Sequence, residues 1–317
     1  MNLKKIFITA GDPRGIGSEI ISKSLNRLSK YNKINYKIVI GGSRDNFKYY
    51  SEKFNLKFRF NLNTDRPGIY FYDIPPSGEP GRDCLNYLNK GIEYCRNNSA
   101  CALVTAPVRK DEVAGILPGF TGHTEYLARK FNVEEVAMSF ITRRLKMSIV
   151  TTHIPLNEVP RKVTANKIFT HIKIIEKTLR ENFRSKSREI VLTSLNPHGG
   201  ESGLIGTEER TIFKTAVRRL KDDGIDIAGP FSVEKVLKES LNGKYDFIVS
   251  LYHDQILPGV KCMLGPTVNY TMGLPVPRTS PDHGPALDIA GKNKACPESM
   301  FKALNLAVIL AGGSTNG

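Results

Sequence analysis

The sequence predicts an α/β protein: a mainly parallel sheet with helices on both of its faces. Two observations carry that prediction. Short apolar runs alternate along the chain with longer stretches whose apolar residues recur at helical spacing. The unusual residues, histidines and glycine clusters above all, collect where a run ends and a helical stretch begins. Those junctions are where α/β sheets hold their ligands.

The first strand-like run is Ile6–Ala10. Its charged opening resembles a secretory signal. The apolar stretch is too short for one, however, and Gly11-Asp-Pro-Arg14 interrupts it, so the run reads as a strand and the cytoplasm is the default compartment. The remaining runs are Lys37–Gly41, Gly68–Ile74, Ala102–Ala106, Val136–Thr142, Lys146–Thr151, Ile190–Leu195 and Phe247–Leu251. Helical stretches with one apolar face are Gly17–Leu28, Leu85–Arg96, Thr124–Phe131, Ala165–Phe183, Thr207–Asp222 and Glu298–Leu310. Ile74–Gly81 is a Pro/Gly loop, and the prolines and glycines of Val260–Asp282 predict a loop-rich stretch without long regular elements. No repeat or clean domain boundary is visible. If there are two lobes, the chain crosses between them more than once.

A chain of 317 residues is long enough for one large domain or two ordinary ones, and it needs no disulfide or metal to fold. Its five cysteines, odd in number and without Cys-x-x-Cys, argue against a disulfide framework or a zinc ribbon. No apolar run approaches the roughly 18 residues of a membrane span. The net charge of +15 (46 Lys+Arg against 31 Asp+Glu) points to nucleic acid, an anionic membrane or an anionic substrate. The basic runs Arg143–Lys146 and Arg180–Arg188 match no nucleic-acid docking motif, so neither nucleic acid nor membrane is expected as a partner.

Gly11-Asp-Pro-Arg-Gly-Ile-Gly17 follows the first strand and opens a helix. Glycines there allow close backbone approach, and a helix N-terminus attracts anions. The spacing is neither the dinucleotide fingerprint nor a P-loop, and a tight turn without ligand fits it as well. Of six histidines, His171 lies inside a helical stretch and reads as structural. His153, His198 and His253 each follow a strand-like run. Three parallel strands ending in His would line three imidazoles along one sheet edge, a donor set suited to zinc or another divalent ion. Histidines that merely cap strands fit the same pattern. Glu201 and Asp254 are candidate partners for the imidazoles. Lys261, Asn269 and Arg278 are the residue types that hold phosphate or carboxylate, although cations are abundant throughout the chain.

Together these segments resemble one family, 4-hydroxythreonine-4-phosphate dehydrogenase of the vitamin B6 pathway. The matching pieces are Gly11–Gly17, Thr105-Ala-Pro-Val-Arg-Lys110, Phe120-Thr-Gly-His-Thr-Glu-Tyr-Leu127, Thr151-Thr-His-Ile-Pro-Leu156, Leu195-Asn-Pro-His-Gly-Gly-Glu201, Tyr252-His-Asp-Gln255 and Val268–Gly284, in family order across nearly the whole chain. His283-Gly-Pro-Ala-Leu-Asp-Ile-Ala-Gly-Lys292 is similar to the adenine-binding loop of isocitrate and isopropylmalate dehydrogenases.

The resemblance implies a two-lobed, three-layer α/β/α fold like that of those enzymes, with the active site in the cleft between lobes. One lobe would be 1–120 with 270–317, carrying the cofactor loop; the other, 121–269, would carry the metal site and dimer interface. It implies oxidation of 4-phosphooxy-L-threonine by NAD or NADP, giving a 3-oxo acid that decarboxylates to 3-amino-2-oxopropyl phosphate. His153, His198 and His253 fall on the ligands of a divalent metal (zinc, magnesium or cobalt) shared between the subunits of a homodimer. His123, Thr124, Lys261, Asn269 and Arg278 fall on substrate-binding positions. His283, Gly284, Asp288 and Gly291 fall on the cofactor loop, and Asp254 and Lys261 are the candidate bases. Asp12, Arg14, Ser18, Ala106, Arg109 and Gly199 depart from the usual pattern, which leaves open whether Arg14 and Arg109 join the anion site. They also leave room for a related substrate, such as phosphothreonate, phosphoerythronate or a dihydrodiol acid.

Overall fold

The computed structural model describes residues 3–31, 34–183 and 189–311. The basic run Arg180–Arg188 therefore lies partly outside the described residues. In order, the chain forms β1 (Lys5–Thr9), α1 (Gly17–Tyr31), β2 (Lys37–Gly42), α2 (Arg44–Lys53), β3 (Gly68–Asp73), α3 (Pro80–Arg96), β4 (Cys101–Thr105), α4 (Lys110–Ile116), α5 (His123–Phe131), β5 (Ala137–Ile141) and β6 (Lys146–Ile149). It continues with α6 (Val159–Lys162), α7 (Ala165–Thr178), β7 (Ile190–Thr193), α8 (Lys214–Asp222), β8 (Ile227–Phe231), α9 (Val233–Leu241), β9 (Phe247–Ser250), α10 (His253–Leu264), β10 (Val268–Met272), β11 (Arg278–Pro281) and α11 (Glu298–Leu310). No helix among the described residues is long and apolar enough to cross a membrane.

The described residues divide into two compact units, those up to Asn132 together with those from Leu274 onward, and those of Val133–Gly273. The divisions fall at 132/133 and 273/274 rather than 120/121 and 269/270, so His123 and Thr124 lie in the first unit and Asn269 stays in the second. In the first unit the strands run β3-β2-β1-β4-β11, all parallel. Strand alternation divides the core there. Phe7, Val39 and Leu103 pack with Leu85, Leu88 and Ile92 of α3 on one face, while α11 packs against β4 and β11.

In the second unit the order is β10-β5-β6-β9-β7-β8. Strand β5 is antiparallel to both β10 and β6, and the rest are parallel. Met138, Phe140, Met147, Ile149 and Ile248 meet α9 and α10 on one face. On the other, Ser148 bonds His171 of α7 through Nε2 (2.7 Å), so His171 is a buried structural histidine.

The stretch Val260–Asp282 corrects the sequence expectation. It contains the end of α10 and both β10 and β11, so Lys261 lies on a helix and Asn269 and Arg278 on strands. Pro258 inside α10 removes one backbone donor, but the apolar positions Ile256, Leu257 and Val260 are buried and hold the helix together. In β11 the prolines stand at or just before the ends of a four-residue strand.

Candidate active site

The first unit gathers its unusual residues at the C-terminal ends of β1 and β4. Gly11 has φ +76°, and a Cβ there would lie 2.4 Å from the Pro107 carbonyl oxygen. Gly15 abuts the predicted cofactor loop: a Cβ would come within 2.9 Å of Pro285, whose carbonyl accepts from Ile16 N–H (3.0 Å). Gly11 thus lets the first loop approach the segment after β4, and Gly15 lets it touch the His283–Lys292 loop. Between those loops and α2 is a pocket of ≈ 400 Å³, lined among others by Arg14, Ser18, Asn46, Tyr49, Tyr50 and Gly291. His283, Gly284 and Asp288 are exposed on the same loop, with His283 Nδ1 3.0 Å from the Gly284 carbonyl oxygen.

Arg14 and Arg109 share one carboxylate. Glu112 Oε1 lies 2.9 Å from Arg14 Nη2 and 3.3 Å from Arg109 Nη1. The Asp12 side chain is fully buried and its Oδ1 accepts from Arg14 N–H (2.9 Å). Three of the positions that depart from the family pattern are therefore one ionic cluster.

Arg278 is buried, and both Nε and Nη2 donate to Thr105 Oγ1 at the end of β4. Burial lowers its pKa to about 10, with Glu125 opposing, so it stays charged at neutral pH. His123 begins α5 and Thr124 beside it is buried. Burial, then the charges of Arg278 and Lys110, hold the His123 pKa well below the usual histidine value, leaving a neutral imidazole. Lys110 and Thr105 belong to this cluster and were missed as individual residues, although both lie in a recognised segment.

In the second unit, β6, β9 and β7 are adjacent and parallel. His153, His253 and His198 follow their respective C-terminal ends, as the strand-end reading anticipated. The His153 and His253 rings lie 6.0 Å apart. Phe140 is the local hub. Its ring is 6.4 Å from that of His253, Lys261 Nζ is 5.9 Å from its centre, and Asn269 is its cross-strand neighbour. The Asn269 Oδ1 is buried and has no hydrogen-bond partner. Asp254 is exposed, 3.5 Å from His253 Nδ1.

His198 is exposed on a turn whose residues 198–202 all have left-handed φ, a strained arrangement for His198, Glu201 and Ser202. Among the described residues, no group of three His, Cys, Asp or Glu side chains comes together to hold a metal. Sequence reasoning also missed the groups that anchor these histidines. Glu209 Oε1 accepts from the Leu195 and Asn196 amides (2.9 and 2.8 Å), just before the His198 turn. Gln255 Oε1 accepts from Thr193 Oγ1, Ser250 Oγ and Leu251 N–H, and its Nε2 donates to the Ser194 carbonyl. Gln255 thereby ties the first turn of α10 to the ends of β7 and β9.

The pattern described as pyridoxal phosphate biosynthetic protein PdxA matches residues 71–307. A 4-hydroxythreonine-4-phosphate dehydrogenase of Sulfurihydrogenibium sp. is 38% identical over 320 residues, covering 96% of this chain and 98% of the relative. The Vibrio cholerae enzyme of the same name is 31% identical over 329 residues, 98% of each chain. The crystal structure of the Klebsiella pneumoniae 4-hydroxythreonine-4-phosphate dehydrogenase aligns with a TM-score of 0.85 at 31% identity, again over 98% of each chain. A terephthalate 1,2-cis-dihydrodiol dehydrogenase from Burkholderia xenovorans shares the fold, at TM-score 0.68 and 22% identity over 97% of this chain and 98% of that one. On the identity and coverage of these relatives, the chain belongs to the PdxA family and is a dehydrogenase.

Proposed function

We propose that the protein oxidises 4-phosphooxy-L-threonine at C3 with NAD or NADP, in the cytoplasm, within pyridoxal phosphate biosynthesis. The product is a 3-oxo acid that loses CO₂ to leave 3-amino-2-oxopropyl phosphate. The observation that carries this reading is the set of three adjacent parallel strands ending in histidines, of which His153 and His253 have rings 6.0 Å apart.

Imidazole nitrogens suit zinc, magnesium or cobalt unequally but fit a catalytic divalent ion with open positions. His153 and His253 would hold it as a pair, and His198 of a second copy would complete the set in a homodimer. When bound, the ion would supply Lewis acidity toward the substrate oxygen at C3, and the nicotinamide would supply the hydride acceptor.

The chain's own residues do the rest. Arg278, Lys261 and Asn269 anchor the phosphate and carboxylate ends, which fixes C3 for reaction. The unpartnered Asn269 Oδ1 accepts a substrate N–H or O–H. His123, neutral, and Thr124 hydrogen-bond the substrate beside Arg278. Asp254 takes the hydroxyl proton, with Lys261 in its neutral form as the alternative base. The His283–Gly291 loop and the pocket next to it take the adenosine half of the dinucleotide.

A turnover panel tests this: 4-phosphohydroxythreonine, phosphothreonate and an unphosphorylated diol, each with NAD or NADP, with and without chelator. Chelator-sensitive turnover of the first is expected. Turnover confined to another substrate, or insensitive to chelator, overturns the reading.

A further inference from the structure

One buried carboxylate joins the walls of the pocket beside the His283–Lys292 loop. Glu19, in the first turn of α1, is 1% exposed. Its Oε2 accepts from the Tyr50 hydroxyl of α2 (2.8 Å). Its Oε1 accepts from Lys23 Nζ (2.7 Å) and from Ala295 N–H (2.8 Å). Lys23 Nζ in turn donates to the carbonyls of Ala295 (2.8 Å) and Asn293 (3.1 Å). Both backbone polar groups of Ala295 are therefore held by the Glu19–Lys23 pair, directly after the loop that ends near Gly291.

The two elements so joined face the same space. Tyr50 and its neighbour Tyr49 line the pocket from α2, Gly291 lines it from the loop, and Ser18, adjacent to Glu19, lines it from α1. Tyr49 is a large aromatic ring left 57% exposed, edge-on to Tyr50 at 4.9 Å. A planar base has a stacking surface there, provided the Tyr49–Tyr50 edge and the loop keep their spacing. Glu19 bonds both walls, Tyr50 on α2 and Ala295 after the loop. A charged pair buried for structure alone is a poor stabiliser, because desolvation of the ions offsets their attraction. Fixing the geometry of a binding wall is a use better suited to it.

We propose that Glu19, with Lys23 and Tyr50, is a positioning residue for the dinucleotide: it sets the distance between the α2 wall and the cofactor loop and so governs affinity for the adenosine half. This rests on the proposal that the dinucleotide binds in this pocket.

Titration calorimetry of the full-length protein with NAD⁺ and with NADP⁺ tests it, alongside steady-state kinetics, for Glu19→Gln, Lys23→Met, Tyr50→Phe and Tyr49→Ala. The expected result is a dinucleotide Kd raised about tenfold in Glu19→Gln and about threefold in Tyr50→Phe, the scale of one charged and one neutral hydrogen bond. At saturating dinucleotide, kcat and the KM for the phosphorylated acid stay within about twofold of wild type, because the uniform binding of one ligand is what changes. Tyr50→Phe deletes a single hydroxyl and keeps the ring, so it carries the test even if Glu19→Gln does not fold. If Tyr49→Ala weakens the dinucleotide while Glu19→Gln, Lys23→Met and Tyr50→Phe do not, the positioning role is overturned and the pocket assignment stands. If Tyr49→Ala also leaves Kd unchanged, the pocket assignment itself falls. A parallel loss of Tm, kcat and both KM values in Glu19→Gln and Tyr50→Phe marks a purely structural staple and overturns the proposal.

Discussion

The Arg278 guanidinium donates to the hydroxyl of Thr105 twice, through Nε at 3.1 Å and Nη2 at 2.6 Å. The two residues are 173 positions apart and stand on neighbouring parallel strands, β4 and β11. A buried arginine so gripped has lost most of its rotamer freedom before an anion arrives, which lowers the cost of binding one. Replacing Thr105 with Val keeps the shape and removes the acceptor. We expect a KM for the phosphorylated substrate raised about tenfold with a smaller change in kcat, the effect of loosening one charged hydrogen-bonding group. Arg278→Lys, which cannot form the forked contact, is expected to cost more. An unchanged KM in both would remove this pair from the anion site.

The strand ends carrying His153 and His253 bring two imidazoles together, while no three-ligand group forms among the described residues. If His198 is supplied by a second copy, inactive His153→Ala and His198→Ala proteins should complement each other. In a mixed dimer one of the two sites keeps all of its ligands, so mixing with subunit exchange should restore about a quarter of wild-type activity. Each variant alone should lose metal by elemental analysis while keeping its Tm, since both histidines are exposed. No recovery on mixing, with exchange demonstrated by mass tags, would put all three ligands in one chain or remove one from the set.

Gln255 makes a different kind of demand. Its amide makes four hydrogen bonds, three at Oε1 and one from Nε2, all to groups at the ends of β7 and β9. It therefore fixes where α10 starts and where His253 points. Gln255→Ala would leave the buried Leu251 N–H and Ser194 carbonyl without partners, at a cost of about 1–3 kcal/mol for each group that water does not reach. Metal affinity should fall about tenfold or more, as for other groups that orient metal ligands. Chemical denaturation and metal titration together check this. A stable variant with wild-type metal affinity would show that α10 holds His253 without it.

The strand-end positions of the histidines were more legible in the sequence than the groups that support them. His153, His198 and His253 were legible because an apolar run followed by a polar turn marks a strand end, and a parallel sheet aligns such ends. The adjacency of β6, β9 and β7 was implied by no local pattern. Strands β10 and β11 were illegible because Pro266, Gly273, Pro275, Pro277 and Pro281 dominate their surroundings. Their strand state comes from pairing with β5 and β4, far away in the chain. Glu19, Thr105, Glu209 and Gln255 look like ordinary polar residues. Glu19 meets Ala295 across 276 positions and Gln255 meets Thr193 across 62, separations that no motif spans.

His171 supplies a prediction about stability rather than activity. The Ser148 hydroxyl donates to the Met138 carbonyl (2.8 Å), so it can only accept from the ring, and His171 is the tautomer protonated at Nε2. Burial, with a smaller contribution from Lys167, lowers its pKa from 6.5 to about 3. The unfolded chain therefore binds a proton that the folded one refuses between those two values. Stability from this residue is complete above pH 6.5 and is lost as pH falls toward 3, at a slope approaching about 1.4 kcal/mol per pH unit. Between pH 7 and pH 5 the loss is about 2 kcal/mol. His171→Gln keeps a donor for Ser148 and has no proton to gain, so its unfolding free energy should fall by about that much less over the same interval. Urea denaturation at pH 7 and pH 5 measures the difference directly. Equal losses in the two proteins would mean that His171 accepts its proton without unfolding, and that its burial is less complete than the packing of α7 on β5 and β10 indicates.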